Sequence, residues 1–164
     1  MSAISSPNSI PVVRANVLGT RVADYIEIAK LRISLMVLMT VSVGYFLGLR
    51  GPASYLTLFN AWIGVSLAAI GASAINQWIE RETDARMRRT RNRPLPMKRL
   101  APTEVLVFGF VSAAVGVVYM WLTVNPLTAA MTGLTFVLYA GVYTPLKRFT
   151  SLCTAVGAIP GALP

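Results

Sequence analysis

The chain contains no histidine, a single cysteine and only 6 acidic residues, and each scarcity excludes a class of protein. Without histidine there is no imidazole-ligated metal or haem, no Ser-His-Asp triad and no imidazole acid–base step within these residues. Cys153 alone cannot build a disulfide framework or a thiolate zinc site, and it reads as a packing residue. Charge is scarce as well: 13% of the 164 residues are charged, about half the share of a soluble globular domain, while 55% are hydrophobic. Lys and Arg still outnumber Asp and Glu by 15 to 6. A nucleic-acid binder spreads such an excess over a polar face. Here it punctuates apolar runs, so the expected partner is the lipid bilayer and not nucleic acid. Carboxylates, phenols and cations are left to carry any chemistry.

A hydrocarbon core about 30 Å thick takes roughly 20 apolar residues of helix. Stretches free of Asp, Glu, Lys and Arg cover residues 33–49, 51–79, 105–146 and 149–164. The third is too long for one span and contains the turn dipeptide Asn125-Pro126, so it divides into two helices joined by a tight hairpin. The expectation is an all-α, polytopic membrane helical bundle over residues 24–164, with spans at about 33–49, 55–79, 105–123 and 127–143, a fifth starting over 151–164, and a polar loop at 80–104. Every basic residue except Arg50 then falls on one side, which by the positive-inside rule predicts a cytoplasmic N-terminus. Residues 1–23 read as a flexible tail, and residues 24–32 as an amphipathic helix approaching the membrane. The tail has no secretory cleavage pattern and resembles a mitochondrial presequence poorly, so a bacterial cytoplasmic membrane is expected before a mitochondrial inner membrane. The last apolar run stops at Pro164 without flanking charge, as in the N-terminal portion of a larger membrane protein.

Polar residues cluster where the second span ends. Asn76, Glu80 and Asp84 follow i, i+4, i+8 spacing, which places them within about 80° of arc on one helix face. Oxygen ligands of this kind suit Mg²⁺, which takes one or two carboxylates and completes its octahedron with phosphate and water. The same spacing also suits a solvated helix end whose acids pair with arginines. Downstream, residues 88–96 read Arg-Arg-Thr-Arg-Asn-Arg-Pro-Leu-Pro, and the planar guanidinium fork fits phosphate oxygens. Most of these cations serve equally as a membrane anchor; Arg89 and Arg93 are the candidates for phosphate contact. Pro94 and Pro96 stiffen the loop. At the end of the fourth span, Tyr139, Tyr143 and Lys147 repeat the i, i+4, i+8 pattern and would present a phenol and an ammonium to an anion. They also match an interfacial aromatic belt and a topology signal, and Pro145 threatens their facing.

The segment NQWIERETDARMRRTRNRPLP, from Asn76 to Pro96, resembles the first aspartate-rich motif and following loop of the UbiA-type intramembrane prenyltransferases, specifically their haem-farnesylating branch. YTPLKR at 143–148 and GAIPGALP at 157–164 resemble later segments of the same branch, in the same order. The resemblance covers nearly all of the chain after the tail, but only about half of the family's helical architecture; the family's second acidic motif is absent. It implies transfer of the farnesyl group of farnesyl diphosphate to a vinyl group of haem B, with Mg²⁺ as cofactor and a haem A-synthesising enzyme as a partner. It also implies that Asn76, Glu80 and Asp84 hold the metal, that Arg89, Arg93, Tyr143 and Lys147 bind diphosphate, and that Asp84, Tyr143 and Lys147 are catalytic. Glu80 stands where many UbiA-type proteins have Asp, and Gln77 replaces the Asp that often follows the Asn in quinone-pathway members; both changes favour the haem branch, whereas Cys153 replaces the Asn expected there. The alternatives are prenylation of an aromatic quinone precursor and, in a different class, transport of an anionic solute through broken helices. The acidic cluster weighs against transport, because it would repel an anion unless a metal intervened.

Overall fold

The computed structural model describes residues 17–147 and 157–158, and among these there are helices and turns but no strands. The helices are α1 (Val17–Ala29), α2 (Leu31–Gly48), α3 (Tyr55–Arg86), α4 (Pro102–Thr123) and α5 (Pro126–Val137). A π-helical turn, Leu138–Tyr143, and a short α6, Thr144–Leu146, continue α5. Three helical segments are long and apolar enough to cross a membrane: Tyr55–Arg86, Pro102–Thr123 and Pro126–Leu146. The bent pair α1–α2, with 44° between its arms, makes a fourth if it is taken as one span. Apart from residues 157 and 158, the expected fifth span lies outside the described residues.

The structure corrects two sequence boundaries. The expected tail at 1–23 gives way to helix at Val17, because α1 finds a surface to bury against: Asp24 and Ile28, one turn apart, are both buried. The polar loop expected at 80–104 is shorter at both ends, since α3 runs on to Arg86 and α4 starts at Pro102. Residues 80–86 contain neither Gly nor Pro, and Asp84 is buried in its own contacts, so nothing stops the helix there. Local chemistry closes the turns. Ser54 caps α3 by accepting from the Thr57 amide, and Tyr45 Oη donates to the Ser54 carbonyl at 2.8 Å. Asn125 Oδ1 accepts from the Thr128 amide at 2.7 Å, with Pro126 in the first turn of α5.

The spine of the bundle is the α3–α4 pair, which meets through residues with little or no side chain. Gly64, Ala68 and Gly71 face Gly109, Ala113 and Gly116. A Cβ added to Gly116 would lie 2.7 Å from the Gly64 carbonyl oxygen and 2.9 Å from the Ala68 nitrogen. Small residues let helix backbones touch in this way, and in lipid that packing replaces the hydrophobic drive available in water. At the polar end, Ile28, Ala74, Leu95, Leu100 and Val105 form an apolar plug that binds α1 and the 87–101 loop to α3 and α4. At the other end, Ala61, Met120 and Ala129 close the core.

Candidate active site

Asn76, Glu80 and Asp84 lie on one face of α3; α6 and the lysine that ends it engage the first two, and the 87–101 loop engages the third. Asn76 is buried; its amide donates to Glu80 Oε2 at 3.1 Å, and its Oδ1 accepts from Thr144 Oγ1 at 3.2 Å. Lys147 Nζ is 3.0 Å from Glu80 Oε1, and Arg93 Nη1 pairs with Asp84 Oδ2. The structure therefore brings five of the seven candidate residues to one end of α3 in two linked groups, Asn76–Glu80–Lys147 and Asp84–Arg93, with Lys30 within electrostatic reach of both carboxylates. The hydrogen bond from Lys147 to Glu80 holds its ammonium above the usual lysine range, since it favours the charged form and outweighs the opposing effect of burial. Tyr143 stacks on Tyr139 with ring centroids 5.4 Å apart, and its hydroxyl has no hydrogen-bond partner among the described residues. Arg89 is exposed and makes no ion pair among the described residues, so the structure does not bring it to the carboxylates.

Lys147 reaches Glu80 because of the π-helical turn. Pro145 lacks an N–H and its ring crowds the carbonyl four residues earlier, which would kink a regular α-helix. The turn opens by one residue instead: the Thr144 amide and its Oγ1, at 2.8 Å, both donate to the Tyr139 carbonyl five residues back. The helix stays continuous past Pro145, and Thr144, fully buried, is aimed at Asn76.

The loop that carries Arg93 is folded, not draped. Thr90 Oγ1 donates to the Asp84 carbonyl at 3.1 Å, Pro94 and Leu95 are buried, and Lys98 adopts a left-handed turn with φ 56°. Arg99 fastens the loop to α1, with Nη1 2.7 Å from the buried Asp24 carboxylate and Nη2 3.2 Å from Glu27. Sequence spacing gave no sign of this clamp, because its partners are 72 and 75 residues apart. Replacing Arg99 with Ala leaves Asp24 buried without a counter-charge; because Arg99 is itself 42% exposed, the expected loss of stability is about 1–3 kcal/mol. Limited proteolysis should then cut within residues 87–101 faster than in wild type, and an unchanged rate would show that the clamp does not hold the loop.

Beside this cluster lies a cavity of about 890 Å³ between α2, α3 and α5, walled by apolar side chains such as Val41, Ala61, Met120, Met131 and Phe136. Lys30, Ser73, Tyr139 and Tyr143 line it near the polar end. The carboxylates are not among its walls; Lys30, Tyr139 and Tyr143 line it within electrostatic reach of Glu80 or of its partner Lys147. Among the described residues no three acidic or sulfur side chains converge as a self-sufficient metal site. Glu80 and Asp84, one helical turn apart with the Asn76 amide beside them, do fit Mg²⁺, which needs only one or two carboxylates when phosphate and water complete its shell.

The UbiA prenyltransferase family matches residues 37–164. The chain is 45% identical to the protoheme IX farnesyltransferase of Solibacter usitatus, over 86% of this chain and 51% of that protein. It is 40% identical to the protein of the same name in Koribacter versatilis, over 100% of this chain and 53% of that protein, and 40% identical to that of Opitutus terrae, over 89% and 49%. The chain thus spans about half the length of the curated relatives it matches. No solved structure matches it significantly. A helical membrane bundle with a carboxylate–cation cluster at one end of an apolar cavity and a family match across residues 37–164 leads to one assignment: the chain belongs to the UbiA prenyltransferase family.

Proposed function

We propose that this chain forms part of a site that transfers the farnesyl group of farnesyl diphosphate to a vinyl group of haem B, giving haem O and diphosphate. The observation that carries this reading is the meeting of Glu80 and Asp84 with Arg93 and Lys147 beside an apolar cavity. The acceptor is taken from the names of the relatives, which specify protoheme IX. Breaking the allylic C–O bond sends its electron pair to the diphosphate, so the site must stabilise growing negative charge on that group. Bound at Glu80 and Asp84, Mg²⁺ would supply Lewis-acid stabilisation of the diphosphate. Arg93 and Lys147 turn from their carboxylates toward diphosphate oxygens, and Tyr143 and Arg89 add donors as the loop settles. The apolar cavity holds the farnesyl chain and keeps bulk water from the allylic carbon until the vinyl carbon has formed the new C–C bond. The positive charge left beside the porphyrin is then met by one water, which gives up a proton. No side chain acts as a covalent nucleophile. The polar end faces the cytoplasm of a bacterial inner membrane in this reading, and a haem A-synthesising enzyme takes the product.

The test is mass analysis of haems and quinone precursors from membranes that contain haem B and express this chain together with the part of the Solibacter usitatus relative that it does not match. A farnesylated haem that is absent when Lys147 is replaced by Met is the expected result. A prenylated quinone precursor in its place would reassign the acceptor, and no prenylated product from folded protein would overturn the reading.

A further inference from the structure

Three cations surround the Glu80–Asp84 pair, and they are not equivalent. Arg93 and Lys147 each hold a carboxylate. Lys30 lies within electrostatic reach of Arg93, Glu80, Asp84 and Lys147, yet its ammonium has no ion pair or hydrogen bond among the described residues. It is also half-buried and lines the apolar cavity with Tyr139 and Tyr143. A partly desolvated, unpaired charge is costly, and such a group persists where a ligand will pair it.

The backbone holds Lys30 in this place. It is the joint between α1 and α2, in the left-handed conformation with φ 47° and ψ 56°, which a side-chain-bearing residue adopts only at a cost. Two α3 side chains pin the joint: Ser73 Oγ at 2.8 Å and Gln77 Nε2 at 3.2 Å both donate to the Ile28 carbonyl. Ser73 and Gln77 flank Asn76 on α3, so the joint and the polar face are built on the same helical turns.

We infer that Lys30 is a substrate-binding residue whose ammonium takes an anionic oxygen, of a phosphate or a carboxylate, from the molecule that fills the cavity. The inference rests on the proposed function for the identity of that molecule: the anion belongs either to the prenyl diphosphate or to a propionate of the haem.

The test titrates the protein of the haem analysis, this chain together with the unmatched part of the Solibacter usitatus relative, in detergent micelles with inorganic diphosphate plus Mg²⁺ and, separately, with haem B. Lys30→Met and Lys30→Gly are expected to weaken binding of one probe about tenfold or more, as for loss of a charge-assisted hydrogen bond, while Arg32→Met at the neighbouring exposed position binds as wild type. Glycine accepts φ 47°, so Lys30→Gly should melt no lower than wild type and separates the ammonium from the shape of the turn. Weakening of diphosphate alone assigns the donor, and weakening of haem B alone assigns the acceptor; either supports the inference. Wild-type binding of both probes by both variants overturns it, as does a loss in Lys30→Met that Lys30→Gly does not share. Failure of the wild-type protein to bind either probe would instead remove the proposed function, and this inference with it.

Discussion

Asp84→Asn is expected to lower farnesyl transfer on the order of 100-fold or more, because it removes one of two carboxylates able to hold a metal and also releases Arg93. The same substitution should destabilise the fold. Asp84 is 4% exposed, and taking one partner from a buried ion pair leaves the other desolvated without compensation. Catalytic and structural losses can be told apart by adding Arg93→Gln. The double variant removes both charges, so its melting temperature should recover part of the way toward wild type, while turnover should stay low and Mn²⁺ binding, read by electron paramagnetic resonance, should stay weak. Near-normal turnover or metal binding in Asp84→Asn would refute Asp84 as a metal ligand.

A second large effect is expected at the α3–α4 seam. A Cβ at Gly71 would overlap the Gly109 carbonyl and stand 2.9 Å from Ala113, so both backbones must give way for any side chain. Gly71→Leu should cost roughly 3 kcal/mol or more, at the upper end of overpacking penalties, because the obstacle is backbone that cannot rotate aside. Gly51→Ala is the comparison: nothing lies within 4 Å of a Cβ there. Thermal unfolding in micelles should show a large drop for Gly71→Leu and almost none for Gly51→Ala. Equal melting of the two variants would show that the seam is looser than its geometry requires.

The parts of this site legible in the sequence were those set by short-range spacing. Asn76, Glu80 and Asp84 share a face because an unbroken α-helix repeats every 3.6 residues, and nothing in residues 76–86 interrupts it. Asn125-Pro126 announces its turn through residue chemistry, and the lack of charge in the long runs announces their length. Lys30 was hidden among the cations of one membrane side, since its importance comes from a left-handed joint that no local pattern encodes. Arg99 was hidden for another reason: its partners Asp24 and Glu27 come from α1, beyond the reach of any spacing argument. The Tyr139–Lys147 repeat assumed one helical period throughout. Pro145 makes that period change, and the π-helical turn keeps Lys147 on Glu80 regardless.

The glycine seam also divides the molecule mechanically. With backbone against backbone at Gly71–Gly109 and Gly64–Gly116, and with Ser112 Oγ to the Leu67 carbonyl and Tyr119 Oη to Asn60 Oδ1 bonded across the seam, α3 and α4 have little room to rearrange and behave as one beam. The opposite wall of the cavity is α2, and its attachments are of another kind. It hangs from a left-handed joint at Lys30 and an extended one at Leu49, and is stitched to the beam near its far end by Trp62 Nε1 to Ser42 Oγ at 3.0 Å and by Tyr45 to the Ser54 backbone. Widening of the 890 Å³ space for a bulky guest would therefore draw on the walls outside this beam, and α2, held at its polar end by the single joint at Lys30, is the one that can swing as a door.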